Sequence, residues 1–256
     1  MTANIAEPHL DFVDCLDPSG LHRMAYWEWG ARDNPRVVVC VHGLTRQGRD
    51  FDTLARALAS DWRVVCPDVV GRGRSDWLVE PMAYQVPTYV PDIVTLLARL
   101  GADAVQRIGA YVGQPRRVAS EEEAAEYLWS ISNGFGPHSR EQWLALTRPQ
   151  LRAVDDAQGA GFEPHYDPNI GLPFRAVTPE LAAAGEAVLW QRYDALRCQT
   201  LLIRGADSDL LSHETAQAMT RRGPKARLVE LPGVGHAPTL VQAEQVALVR
   251  EFLESP

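Results

Sequence analysis

Three short runs, VVVCVH (37–42), WRVVCP (62–67) and TLLIR (200–204), are almost unbrokenly apolar and rich in β-branched residues. Strict alternation of apolar and polar residues marks a strand with one wet face. A run with no polar interior marks a strand covered on both. Strands of that kind need helices on either side, which confines the chain to α/β architectures with a parallel sheet. Helices are legible between and after them. Phe51–Ala59 and Thr88–Leu100 carry Leu54, Leu58, Val90, Ile93, Leu96, Leu97 and Leu100 at helical spacing, and Gly101 is a plausible stop. Helix Glu214–Arg221, strand Ala226–Leu231 and helix Leu240–Leu253 follow the third run. At the start, His9–Leu16 and Leu21–Trp29 alternate around Asp17-Pro18-Ser19-Gly20, which predicts an antiparallel hairpin.

From Gln106 to about Trp190 the character changes. Ser120-x-x-Glu123 opens Glu121–Ile131 as a capping box, and Glu141–Leu151 and Pro179–Leu196 also read as helices. Gly-, Pro- and Asn-rich stretches separate them (NGFGPHS, EPHYDPNIGLP), and no buried strand is expected. The organisation expected is an N-terminal part of the core over 1–105, a helical insert over 106–190, and a C-terminal part of the core over 191–256.

Bulk properties narrow the function classes. With 256 residues, 46% hydrophobic and 23% charged, the chain can bury a sizeable core. A net charge of −8 argues against a nucleic-acid or anionic-membrane partner, and no apolar run approaches a membrane span. The N-terminal MTANIAEPHLDF lacks the basic-then-apolar order of a secretory signal, so a cytoplasmic location is expected. Cys15, Cys40, Cys66 and Cys198 show no C-x-x-C spacing. Neither a disulfide, a metal nor a cofactor is therefore expected, and Cys40 and Cys66 read as small buried hydrophobes.

Chemistry gathers at the ends of the predicted strands, where open parallel sheets bind ligands. His42-Gly43-Leu44-Thr45-Arg46 follows the first run; a glycine there turns the backbone sharply and can leave N–H groups aimed at an oxyanion, or it is merely a strand end. Asp68-Val-Val-Gly-Arg-Gly-Arg-Ser-Asp76 lacks the lysine of a phosphate loop and the helix of a dinucleotide site, and reads as a tight structural loop. Gly205-Ala-Asp-Ser-Asp209 and Gly233-Val-Gly-His236 end neighbouring strands, so a carboxylate and an imidazole can meet there as a base and the acid that orients it.

Taken in order, VVVCVHG (37–43), the D-x-x-G-x-G-x-S-D loop (68–76), Tyr84-x-x-Pro87…Tyr89-x-x-Asp92, RGADSD (204–209) and GVGHAP (233–238) resemble the α/β-hydrolase superfamily. The resemblance covers 21–105 and 197–256. It implies a mostly parallel central sheet with a helical cap insert and a nucleophile–acid–base order. By position, His236 resembles the base, Asp209 (rather than Asp207) the acid, and the Leu44 N–H one half of the oxyanion hole. It implies hydrolysis of a small ester, acyl or C–C substrate through a serine.

That serine has no counterpart. The family's elbow is a buried strand, G-x-S-x-G, then a helix, due after the helix ending at Gly101. No serine has glycines on both sides at that spacing. Ser75 has Gly73 before it but Trp77 after, and Ser132 has Gly134 after it but Ser130 before. Gly109-Ala-Tyr-Val-Gly113 imitates the spacing with tyrosine, and a phenol is a poor acyl acceptor. The expectation is that a strand, a helix and a second strand, about forty residues at ordinary element lengths, are absent between Val105 and Gln106. The alternatives are a non-hydrolytic relative binding a small apolar or ester-type molecule, with Trp129, Trp143, Trp190 and Tyr193 lining its pocket or forming plain core, and an inactive deletion product. The oligomeric state is not legible.

Overall fold

The computed structural model describes residues 7–100, 117–156, 159–175, 178–236 and 238–255. Strands β1 (His9–Asp17) and β2 (Gly20–Trp29) form the expected hairpin, paired from His9↔Glu28 to Asp17↔Gly20. Asp17 closes the turn by accepting the Ser19 and Gly20 N–H groups on Oδ1. Strand β3 is Val37–Val39, helix α1 Asp52–Leu58, strand β4 Arg63–Pro67 and helix α2 Val86–Leu100. The first apolar run thus leaves its ladder after three residues, although Cys40 still donates its N–H to Val65 O at 2.9 Å. Cys40 and Cys66 are both fully buried, and all four cysteines are free.

Beyond residue 116 come α3 (Glu121–Ser132) and α4 (Arg140–Thr147), then a feature absent from the sequence reading. Strands β5 (Leu151–Asp156) and β6 (Gly159–Pro164) make an antiparallel hairpin, so the insert is not wholly helical. Its strands are short and mostly exposed, with polar residues on both faces, which removes the alternation that would have revealed them. Helices α5 (Leu172–Arg175) and α6 (Pro179–Asp194) follow, then β7 (Leu201–Gly205), α7 (His213–Met219), β8 (Arg227–Leu231) and α8 (Ala243–Glu254). No helix is long and apolar enough to cross a membrane.

The sheet is divided. One part has the order β1-β2-β4-β3, with β3 parallel to β4 and the remaining pairs antiparallel; the other is the parallel pair β7-β8. Among the described residues, β3 and β7 each have a partner on one side only. The two parts are held together by packing instead. Leu240 and Val249, with Ile203, Val246 and Leu253 against them, share a cluster with Trp29, Val38, Leu54, Leu58 and Val64. Arg250 adds an ion pair to Asp61 at 2.9 Å and a bond to Ala57 O. A second cluster, on the other face of β4 and β3, joins Val13, Met24, Tyr26, Val39 and Val65 to Ile93 and Leu96 of α2. The position between Val105 and Gln106, and the Gly109–Gly113 imitation, lie outside the described residues.

Candidate active site

Each predicted stretch does lie at the C-terminal end of its strand, and the loops there are fixed by buried polar groups. Asp68, directly after β4, is fully buried. Its carboxylate accepts the Gly48 N–H at 2.7 Å, the Arg74 N–H at 2.9 Å and the Trp27 indole at 3.1 Å. Burial pushes its pKa up to about 6 against the pull of those donors. Gly73, at φ +51°, sits where a Cβ would strike that carboxylate. Ser75 donates to Asp68 O and accepts the Ala25 N–H at 2.8 Å. This loop is a structural clamp, as its lack of phosphate-loop residues suggested.

The Leu44 segment is held from beneath by an arginine that sequence reasoning did not single out. Arg72, fully buried, donates Nε–H to Leu44 O at 2.6 Å and Nη1–H to Val70 O at 2.6 Å, and reaches the Tyr89 hydroxyl at 3.3 Å. Burying a guanidinium is costly unless its donors are used. Here two carbonyls and a hydroxyl use them, with the Tyr89 ring 4.8 Å from the guanidinium carbon. The available signal was an arginine between glycines of a tight loop, which marks no chemistry by itself. The neighbouring His42 is buried with both nitrogens engaged, by Gly43 O and the Val69 N–H.

On the other sheet part, β7 and β8 end backbone against backbone. A Cβ on Gly205 would overlap Gly235 O and Val234 O, so only glycine permits this approach. Asp207 donates its N–H to Val234 O at 2.9 Å and Ala206 to Leu231 O at 2.8 Å, which ties the Asp207–Asp209 loop to the His236 loop. Arg204 secures it from behind, donating to Ala206 O, Ser208 O and Leu211 O and pairing with Glu230 at 2.7 Å. His236 is half-buried. Desolvation lowers its pKa, and the opposing influence is the Asp209 carboxylate. Asp207 lends the loop its backbone.

His236 and Asp209 thus follow the two strands of the β7-β8 part, whereas Leu44 lies on the four-stranded part, beside Val70, Tyr84 and Ile170. The end of α3 also reaches the His236 loop. Gly235 donates its N–H to Gly134 O, Gly136 packs on Val234, and His138 bonds Thr239 Oγ1 at 2.7 Å. Trp129, Trp143, Trp190 and Tyr193 fall into two ring pairs. Trp143 is core with Ala125 and Leu146 and meets Trp129 edge-on, whereas Trp190 and Tyr193 pair on α6, with the Tyr193 hydroxyl on Met219 O. The plain-core reading fits Trp143.

Comparison with known proteins bears on the family and the fold. Residues 38–249 match the alpha/beta hydrolase family. A 3-hydroxybutyrate-oligomer hydrolase of Cupriavidus necator is 47% identical over 287 aligned residues, covering 96% of this chain and 98% of the relative. The crystal structure of an alpha/beta hydrolase from Novosphingobium aromaticivorans superposes with a TM-score of 0.78 at 30% identity, covering 98% of this chain and 99% of that one. A thioesterase domain from the curacin biosynthetic pathway shares the fold alone, with a TM-score of 0.74 at 19% identity over 98% and 100% of the two chains. A match over most of the chain, joined to an extensively identical relative of the same length class, places the protein: it belongs to the alpha/beta hydrolase family.

Proposed function

We propose that this chain holds the proton-handling half of an ester hydrolase site shaped for short oligomers of a hydroxy acid, and that as it stands it lacks the element that carries the acyl group. His236 is the base, Asp209 holds its tautomer and stabilises the imidazolium, and the Leu44 N–H receives one lone pair of the oxyanion. The substrate class follows from the extensively identical Cupriavidus necator relative, whose name states an oligomeric 3-hydroxybutyrate ester. Residues 106–190 are read as the insert that covers this site, with 1–105 and 191–256 as the two parts of the core.

One observation carries the second half of the reading: among the described residues β3 and β7 each have a strand partner on one side only, and the sequence holds no elbow motif. The alignment lengths support it. The Cupriavidus necator match extends over 287 positions where this chain has only 256 residues, so at least 31 positions of the alignment face no residue here.

Without a hydroxyl to attack the ester carbonyl, no acyl-enzyme forms. Water activated by the His236–Asp209 pair can give only the residual acceleration that remains when a triad loses its nucleophile. The expected outcome is that a fluorophosphonate probe labels no serine, and that hydrolysis of 3-hydroxybutyrate dimers or of p-nitrophenyl butyrate is indistinguishable from that of His236→Ala. Covalent labelling of any serine, together with turnover abolished by His236→Ala, would overturn the proposal.

A further inference from the structure

Remote from the strand ends, at the turn of the β1–β2 hairpin, three side chains of different chemistry converge in the interior. Cys15 lies on β1, His22 on β2 and Asp92 on α2, and all three are buried. One ligating atom from each, a thiol sulfur, an imidazole nitrogen and a carboxylate oxygen, lies within 4.8 Å of the others. His22 Nε2 stands 3.0 Å from Asp92 Oδ2, and Asp17 Oδ2 stands 3.8 Å from His22 Nδ1. His22 Nδ1 and Asp92 Oδ1 are buried without a hydrogen-bond partner. Orphaned polar atoms cost about 1–3 kcal/mol each, so two of them in one cluster need a physical reason.

We propose that Cys15, His22 and Asp92 form a binding site for a divalent transition-metal ion of the zinc type, with Asp17 as the outer-shell carboxylate that orients the imidazole. A sulfur, a nitrogen and a carboxylate oxygen are the donor set zinc accepts, and cobalt(II) takes the same tetrahedral geometry. Zinc–sulfur bonds near 2.3 Å and zinc–nitrogen bonds near 2.0 Å set ligand separations of roughly 3.3–3.7 Å, so the widest separations, within 4.8 Å, close by about 1 Å while the 3.0 Å pair of His22 Nε2 and Asp92 Oδ2 opens slightly. The orphaned atoms then acquire roles. With Nε2 on the metal, Nδ1 carries the proton and donates it toward Asp17, the carboxylate–histidine–metal relay that fixes a ligand's tautomer. Asp92 gains a cation for its unpartnered oxygen.

Charge balances as well. A 2+ ion with one thiolate and the Asp92 carboxylate is neutral, which suits a site with no exposed ligand. Binding releases the Cys15 thiol proton to solvent, so uptake strengthens as pH rises. Nothing in the spacing betrayed the site. Its ligands are seven and seventy residues apart, joined only by the hairpin register and the docking of α2.

The test uses the full chain, stripped with chelator and titrated with cobalt(II). The expected result is one equivalent bound, with a thiolate-to-cobalt charge-transfer band in the near ultraviolet. Cys15→Ser abolishes that band, Cys198→Ser leaves it intact, and Asp17→Asn weakens affinity by about tenfold. Circular dichroism checks that each variant keeps its secondary structure. Should Cys15→Ser not fold, X-ray absorption of the zinc-loaded wild type decides: one sulfur at about 2.3 Å beside nitrogen and oxygen near 2.0 Å is expected. Absence of stoichiometric binding, a band that follows Cys198, or a zinc shell without sulfur overturns the site.

Discussion

His42 shows how much one side chain at a strand end can determine. Its Nε2 accepts the Val69 N–H at 2.9 Å, so Nδ1 carries the proton and donates to Gly43 O at 2.6 Å. That arrangement tolerates only the neutral ring. Burial first, then the Arg72 charge, pushes the pKa down to about 3 from an ordinary 6.5. Between those values the unfolded chain binds a proton that the folded chain refuses, so folding stability rises with pH across the window. The contribution is complete above about pH 6.5 and declines as acid is added toward 3. Asp68 pulls the other way: its folded pKa, about 6, exceeds the unfolded one, so between about 4 and 6 it favours folding at lower pH. The His42 share is therefore read by difference. The urea midpoint of the wild type should fall more steeply than that of His42→Asn between pH 6.5 and about 4.5; parallel slopes would sink the assignment. Such detail was only partly legible. The sequence marked His42-Gly43 as a strand end or an oxyanion turn, but the partner that decides between charge states, the Val69 N–H, comes from another strand end. The choice of Asp209 over Asp207 rests on a family pattern, and no local physical signal in the sequence separates the two carboxylates.

Helix α2 displays the same lesson at the scale of an element. Local signals placed it well: Ile93, Leu96, Leu97 and Leu100 recur at helical spacing, and they are the residues that meet the hairpin and β3–β4. The helix begins earlier than expected, at Val86, because Pro87 is tolerated in a first turn where its missing N–H would be idle. What spacing could not say is which apolar residues are used. Val86, Val90 and Val94 form a second stripe, 47%, 38% and 57% exposed, on a face that no described element covers. Energetically the two faces should separate cleanly. Leu96→Ala removes a fully buried side chain and should cost about 2–5 kcal/mol, whereas Val90→Ala should change stability by less than about 0.5 kcal/mol. Chemical denaturation of both variants checks this; a loss of 2 kcal/mol or more in Val90→Ala would show the stripe to be covered in the folded protein. The β5–β6 hairpin fails in the opposite sense. LRAVDD and GAGFEP bury only Gly161 fully, so neither strand writes a core-facing period into the sequence, and the pairing rests on backbone bonds and the cross-strand Arg152–Glu163 ion pair at 3.0 Å, which periodicity does not reveal.

For the whole molecule the consequential fact is that, among the described residues, the two sheet parts meet through side chains and no ladder joins them. The buried runs at 37–42 and 62–67 and the later run at 200–204 are each strands, yet nothing strand-like of central character stands between the second and the third. In the parallel ladder N–H groups alternate sides. Cys40 bonds Val65 O, so Val38 also faces β4 while Val37 and Val39 point to the open edge. On β7, Ala206 bonds Leu231 O, so Leu202 and Arg204 face β8 while Leu201 and Ile203 point away. Val39 is as deeply buried as its neighbours on β4, since α2 and the hairpin cover it, but burial without a hydrogen-bond partner does not protect an amide as a ladder does. Hydrogen exchange resolved to single amides should therefore find Val39 and Ile203 exchanging about tenfold or more faster than Val38 and Leu202. A pattern in which all four are equally slow would mean that a partner strand lies along both edges. The sheet would then be continuous, and the proposal of an absent acyl-carrying element would fail with it.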